Sequence, residues 1–96
     1  MNIKEIKRIN KEKGYHFFSK DTMRYFNSRV SSFTKGRYFI TSEKMDSLRS
    51  GKEYPREYTI RFLRKDGSIE TVGELGEFKT LDDAKRMLKT KKIKDI

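Results

Sequence analysis

The chain has little of what secreted and metal-dependent proteins rely on. Its 96 residues include no cysteine, no tryptophan, one proline and one histidine. The absence of cysteine excludes a disulfide-stabilised secreted fold and any thiolate metal site. Residues 1–13 contain no apolar run of the signal-peptide kind, and no stretch approaches the ~20 apolar residues of a membrane span. We therefore expect one small domain over residues 1–96, located in the cytoplasm, with neither a metal nor a cofactor.

Positive charge is what the chain has in excess. It carries 24 Lys and Arg against 14 Asp and Glu, a formal net charge of +10. Residues 4–37 hold ten bases and three acids, residues 70–83 hold five acids and one base, and residues 85–94 hold six bases and no acid. A small basic protein without a recognisable group of catalytic residues usually binds an acidic partner, most often nucleic acid. We therefore predict a non-enzymatic protein that binds DNA, RNA or a nucleoprotein complex through a basic face.

Two helices are predicted in the N-terminal part. Asn2 and Glu5 have capping-box spacing, and isoleucines spaced three apart follow, which predicts a lightly packed helix over residues 3–13. Ser19 is a suitable N-cap for a second helix. The apolar face of that second helix would be formed by Met23, Phe26 and Val30.

The clearest local pattern is a β-hairpin. Asp66 and Gly67 lie between two runs of alternating polarity, 58–64 and 69–72. Asp-Gly is favoured in two-residue hairpin turns, where both residues take positive φ. This turn would place Arg64 opposite Ile69, with the polar face of the hairpin carrying Arg61 close to Glu70.

The remaining segments complete an α+β fold. Residues 37–41 are predicted as a strand, and 42–54 as a loop with one helical turn after Ser42. Thr80 caps a last helix whose buried stripe includes Ala84 and Leu88, and residues from about 90 to 96 form a flexible basic tail. The predicted architecture is a three-stranded antiparallel sheet packed against the C-terminal helix, with two N-terminal helices and all helices on one face.

Eight aromatic residues are interleaved with bases between residues 15 and 39. They form either a stacking and phosphate-binding surface for single-stranded nucleic acid or the core of a chain poor in Leu and Val. Tyr25 and Tyr38 are the candidates for exposed stacking groups. Arg61 and Arg64 on the predicted strand have two possible roles. They would contact phosphates or base edges, or they would form a solvated sheet face paired with Glu70. The candidate binding residues are Lys20, Arg24, Tyr25, Arg29, Lys35, Arg37, Tyr38, Arg61, Arg64, Lys65, Lys89, Lys91 and Lys92.

His16 is the one candidate for catalysis. With Ser19 or Asp21 it would form part of a hydrolase site, which requires a nucleophile, a base and an orienting acid brought together by the fold. The alternative is a loop histidine beside a helix cap. We expect no enzymatic activity.

Residues 75–84, Leu-Gly-Glu-Phe-Lys-Thr-Leu-Asp-Asp-Ala, carry a family resemblance. They resemble the strand-to-helix junction of the ethylene-response type of plant DNA-binding domain and of the arm-binding domains of tyrosine integrases. The similarity covers about the last 40 residues. It implies a three-stranded sheet on a C-terminal helix, with the sheet face entering the major groove. In that pattern Phe78 anchors the strand end, Thr80 caps the helix and Ala84 packs on the sheet.

A second resemblance concerns the whole chain. The segments 14–19 (Gly-Tyr-His-Phe-Phe-Ser), 38–43 (Tyr-Phe-Ile-Thr-Ser-Glu) and 69–73 (Ile-Glu-Thr-Val-Gly) are similar to those of a group of small phage and prophage proteins of low-GC bacteria. The resemblance implies a phage protein acting in the bacterial host cytoplasm. It also implies an alternative function, an anti-CRISPR-type inhibitor that binds a host ribonucleoprotein or nuclease complex directly.

Overall fold

The computed structural model describes residues 1–25, 27–44 and 55–90, which form an α+β fold around one sheet. The strands form an antiparallel sheet in the order β1-β2-β3-β4. The predicted class and the C-terminal helix are confirmed, but the sheet has four strands instead of three. The predicted tail beyond residue 90 and most of the predicted loop, residues 45–54, lie outside the described residues. The elements are α1 (Ile3–Glu12), α2 (Lys20–Tyr25), β1 (Arg29–Lys35), β2 (Tyr38–Glu43), β3 (Glu57–Leu63), β4 (Ile69–Val72) and α3 (Leu81–Thr90).

The additional strand, β1, lies where the second helix was expected to continue. That helix ends at Tyr25, and Asn27 takes a left-handed conformation with φ of 50°. A left-handed residue ends a helix, and asparagine tolerates this conformation better than most residues. The segment from Val30 to Thr34 then favours a strand because three of its five residues are β-branched or aromatic. Val30 is therefore a strand residue, and the prediction that it extends the helix is wrong.

Strand β1 contains two more residues than its partner over the same length. Val30 lies opposite Thr41 and Thr34 lies opposite Phe39, so residues 31–33 face Ile40 alone. Such a bulge bends and twists the strand that carries it. Because β1 is at one end of the strand order, the bulge shapes an outer edge of the sheet.

The hairpin between β3 and β4 forms with a register shifted by one residue. Leu63 lies opposite Ile69, because the turn contains three residues instead of two. Gly67 has φ of 90°, whereas Asp66 does not take positive φ, and the Gly67 N–H donates to the Arg64 carbonyl at 3.0 Å. This is a type I turn followed by a left-handed glycine. The Asp66 carboxylate accepts hydrogen bonds from Ser68, which lower the pKa of Asp66 below its ordinary value.

The hydrophobic core occupies both faces of the sheet, so the prediction that all helices lie on one face is wrong. On the α3 side it comprises Tyr38, Ile40, Ile60, Phe62, Ala84 and Leu88. On the α1 side it comprises Ile6, Phe39 and Leu63, with Phe17 and Phe18 packed against them.

Helix α1 forms with the predicted capping box, in which the Glu5 N–H donates to Asn2 Oδ1 at 2.9 Å. The expected light packing of α1 is wrong, since Ile6 is fully buried. Asn10 is also buried, and its Nδ2 donates to the Gly67 carbonyl at 2.8 Å. This bond joins α1 to the hairpin turn.

Candidate nucleic-acid interface

Three lysines gather where the end of β1 meets α3. The ammonium groups of Lys85 and Lys89 lie 5.5 and 5.6 Å from the centre of the Phe33 ring. Lys35 Nζ donates to the Leu88 carbonyl in the last turn of α3. The negative face of an aromatic ring and the carbonyl end of a helix both attract cations. Lys35, Lys85 and Lys89, here called the lysine cluster, are thus held by the fold.

Among the described residues, no carboxylate forms an ion pair with the lysine cluster. The ion pairs found in residues 1–25, 27–44 and 55–90 involve Arg8, Arg61, Arg64 and Arg86, and none of the three lysines. Lys35 and Lys89 are exposed and Lys85 is half-buried. The cluster therefore presents concentrated positive charge to solvent.

Two arginines lie at the opposite end of β1, and we call Arg29 and Arg56 the arginine pair. Arg29 is opposite Ser42, and Arg56 Nη1 donates to Ser42 Oγ at 3.0 Å and to the Asn27 carbonyl at 2.8 Å. Burial lowers the pKa of Arg56 from its ordinary value, and the nearby charge of Arg29 lowers it further. An arginine remains protonated despite such a shift. Two like charges are therefore held close together.

The arginine pair and the lysine cluster mark the two ends of one surface. Arg29 and Lys35 lie opposite Ser42 and Tyr38, which are four residues apart on β2, so they are separated by about 13 Å along the sheet. Both face the α3 side because Ser42 and Tyr38 alternate with Thr41 and Phe39. We call this surface the basic edge. The segment after β4, at the other end of the sheet, carries the carboxylates of Glu74 and Glu77. The sheet therefore has a basic and an acidic edge, which is a charge distribution that orients an anionic partner.

Nine of the thirteen predicted binding residues fall into three places. Arg29, Lys35 and Lys89 belong to the basic edge, and Lys91 and Lys92 lie outside the described residues. Exposed side chains of α2 form the second group, which consists of Lys20, Arg24 and Tyr25. The third group lies near the β3–β4 turn and consists of Arg37, Arg64 and Lys65.

Two residues of the turn group have partners within the fold. Arg37 Nε donates to the Leu63 carbonyl at 2.8 Å, and Arg37 Nη2 donates to the Arg64 carbonyl at 3.1 Å. Arg64 forms an exposed ion pair with Glu70 at 3.1 Å. The Arg37 contacts connect the β1–β2 turn to the end of β3. In the described part of the chain, Lys65 extends from the β3–β4 turn without such a contact.

The expectation that Tyr38 is an exposed stacking group is wrong. Tyr38 is 6% exposed, and its ring centre lies 4.7 Å from that of Phe62. It occupies a central strand on the face covered by α3, where an aromatic residue joins the core. Tyr25, the other candidate, is 72% exposed.

Arg61 has a different partner from the one expected. Its Nη2 lies 3.3 Å from Oε2 of Glu43, a carboxylate that is fully buried, and its side chain is 11% exposed. Arg61 Nε donates to Thr41 Oγ1 at 2.9 Å, and its Nη1 donates to Thr71 Oγ1. Glu70 was the expected partner, but the one-residue shift places Thr71 opposite Arg61 and turns Glu70 to the other face.

Phe33, Arg56 and Lys85 were absent from the predicted site. The spacing of Lys85 and Lys89, four residues apart on a helix, indicates that they share a face. Phe33 was not placed because β1 was not predicted. Arg56 directly follows the only proline, and no sequence pattern distinguishes it from other surface arginines.

His16 is exposed in the loop before α2. Ser19 Oγ accepts from the Thr22 N–H at 3.3 Å, as expected for a residue that caps the start of a helix. Within the described part of the chain, no hydrogen bond joins the His16 imidazole to Ser19 or Asp21. The arrangement is that of a loop histidine beside a helix cap.

None of the helices in the described ranges is long and apolar enough to cross a membrane.

Comparison with known proteins gives one result for the chain as a whole. No curated protein and no solved structure matches the sequence. A family model does match, over residues 2–89, and it covers α1 to most of α3. The chain therefore belongs to the family of unknown function DUF7447.

Proposed function

We propose that this protein is a non-enzymatic nucleic-acid-binding module that contacts phosphates along the basic edge. The observation that carries the proposal is the lysine cluster, in which Phe33 and the end of α3 hold three ammonium groups with no carboxylate partner in the described residues. Contacts of lysine and arginine with phosphates supply most of the sequence-independent affinity for nucleic acid.

The length of the basic edge favours an extended anion over a small one. The arginine pair and the lysine cluster are about 13 Å apart along β1, so a single phosphate or carboxylate cannot contact both. A nucleic-acid backbone carries a charge at every nucleotide and is able to bridge them. Binding would also relieve the repulsion between Arg29 and Arg56, which lowers the pKa of Arg56.

The side chains of the basic edge favour binding with little preference for nucleic-acid sequence. Lysine ammonium groups are flexible point charges, whereas base reading in a duplex typically uses bidentate side chains in a groove. We therefore expect affinity that falls steeply with salt and varies little among duplex sequences.

The test compares two triple variants of equal charge. One replaces the lysine cluster (Lys35→Gln, Lys85→Gln and Lys89→Gln), and the control replaces three exposed lysines elsewhere (Lys4→Gln, Lys11→Gln and Lys79→Gln). Fluorescence anisotropy with a labelled duplex and a labelled single strand gives the affinity at several salt concentrations. For the duplex, the slope of log K against log salt should become less steep by about 0.9 for each phosphate that the variant no longer neutralises.

We expect the cluster variant to lose at least about tenfold in affinity at low salt and the control to lose much less. Equal losses in both variants would show that net charge alone drives binding, and no binding of the unmodified protein to either probe would refute the proposal. Retention of a host nuclease complex on the protein after nuclease digestion, with no affinity for free nucleic acid, would favour direct inhibition of a protein partner.

A further inference from the structure

A pocket of about 520 Å³ lies between α2 and the face of the sheet opposite α3. Phe17, Met23, Tyr25 and Leu75 supply apolar surface, and Arg61 and Thr71 supply polar groups from the sheet. The volume falls within the range of about 300 to 1,000 Å³ that is usual for ligand sites. The pocket is thus large enough to admit a nucleotide-sized group.

Arg61 presents two N–H groups that have no acceptor among the residues that the structure describes. A guanidinium has five N–H donors. One on Nε is donated to Thr41, one on Nη1 to Thr71 and one on Nη2 to Glu43. One N–H on each of Nη1 and Nη2 therefore has no acceptor among the described residues, and these donors belong to a side chain that lines the pocket.

Aromatic rings accompany these donors. The Arg61 guanidinium carbon lies 5.3 Å from the centre of the Phe17 ring. Tyr25, which also lines the pocket, is 72% exposed. A flat group with acceptors on its edge would satisfy both features, since it stacks on an aromatic ring and accepts from the guanidinium. An aliphatic side chain would bury the two donors unsatisfied, at a cost in free energy.

The pocket is bordered by charges of both signs, since the Asp21 carboxylate is part of its lining. Lys20 and Arg24 are exposed on α2, the helix that forms one wall. Tyr25 is two residues before Asn27, whose carbonyl accepts from Arg56 of the arginine pair. Because the basic edge faces the α3 side and the pocket lies on the opposite face, a strand that reaches both must cross the outer edge of the sheet at the start of β1.

We infer that this pocket receives an unstacked base of a single-stranded nucleic acid, with Tyr25 as the stacking surface and Arg61, held over the Phe17 ring, as the donor to the base edge. The inference rests on the proposed function and extends it, because phosphate contacts alone give no reason to favour a single strand. Duplex bases are stacked and paired, so the pocket predicts a preference for single strands.

The probes are a thymidine oligonucleotide that contains one 2-aminopurine, whose fluorescence reports its stacking, and the same strand in a duplex. The pocket variant combines Tyr25→Ala and Leu75→Ala, two of the more exposed residues of the lining. The control is Tyr15→Ala, which removes an aromatic residue that is 39% exposed and lies outside this pocket. Arg61 is left unchanged because its loss would leave Glu43 buried without its cation.

We expect the unmodified protein to change the 2-aminopurine fluorescence and to bind the single strand at least about fivefold more tightly than the duplex, the lower limit for one base–aromatic stack. The pocket variant should lose both effects and keep its salt-dependent duplex binding, and the control should keep all three. If the unmodified protein binds both probes equally, or if the pocket variant retains the fluorescence change, the base pocket is refuted and the proposed function stands. If neither probe binds, both are refuted.

Discussion

The Arg61–Glu43 pair shows how the fold changes the meaning of a single residue. In the sequence, Arg61 is one of many bases and a candidate for contact with phosphates. In the structure its charge is balanced by Glu43, and Thr59 Oγ1 donates to the other carboxylate oxygen at 2.7 Å. Every buried side-chain polar atom among the described residues has a hydrogen-bond partner. The pair is thus the centre of a polar network on the sheet face opposite α3.

Removing one member of this pair should strongly destabilise the protein. We expect Glu43→Ala to lower the free energy of unfolding by about 3–5 kcal/mol, because Arg61 would remain largely buried without its counter-ion. The double variant Glu43→Met with Arg61→Met should recover much of that loss. Urea unfolding followed by circular dichroism measures both.

The exposed Arg8–Glu12 pair is the control for this comparison. Both side chains are 59% exposed, so Glu12→Ala should cost no more than about 0.5 kcal/mol. A Glu43→Ala variant as stable as Glu12→Ala would show that the buried network contributes little.

At the scale of elements, the sequence predicted those features that depend on residues close together in the chain. The capping box of α1, the Thr80 cap and buried stripe of α3, and strand β4 were predicted, because caps and periodicity act within a few residues. Strand β1 was missed because Met23 and Val30 have helical spacing, whereas Asn27 ends the helix between them. The hairpin register was missed because Asp-Gly also fits a type I turn with a left-handed glycine.

The hairpin turn and α1 constrain each other through Gly67. A Cβ at this position would lie 2.5 Å from Cβ and Cγ of Lys13, and φ is +90°. Gly14 has a similar φ of +88° but no atom within 4 Å of an added Cβ. We expect Gly14→Ala to cost about 1–2 kcal/mol from backbone strain alone.

Gly67→Ala should cost at least about 1 kcal/mol more than Gly14→Ala, because α1 must move away from the turn. Denaturant midpoints of the two variants measure the difference. Equal midpoints would mean that α1 adjusts to the turn without loss of packing.

At the scale of the whole molecule, the two helical layers should unfold together with the sheet. Ile6 on one face and Leu88 on the other are both fully buried. Ile6→Ala and Leu88→Ala should each cost about 2–5 kcal/mol, since each leaves a cavity against the same sheet. Thermal and urea unfolding should remain single transitions. An Ile6→Ala variant that loses helix signal in a separate, earlier transition would show that α1 is not part of the cooperative unit.

The candidate site is a property of the whole molecule, which limits what the sequence reveals of it. The excess of bases over residues 4–37 and 85–94 is plain in the sequence. Lys35 and Lys85 are fifty residues apart in the chain, and they are brought together only because α3 packs beside β1, where Lys85 lies over Phe33 and Lys35 bonds to the end of α3. The pocket beneath α2 likewise combines Phe17 with Arg61 and Leu75, and no local pattern relates them.

The bulge in β1 limits how this molecule is able to associate with other chains. A regular outer strand offers a ladder of backbone groups on which another chain can extend the sheet, a common route to aggregation and to peptide capture. In β1, three residues occupy the space of one, so the ladder is interrupted in its middle. A partner at this edge must therefore be engaged by side chains instead of by added β-structure, and copies of the protein are hindered from joining edge to edge.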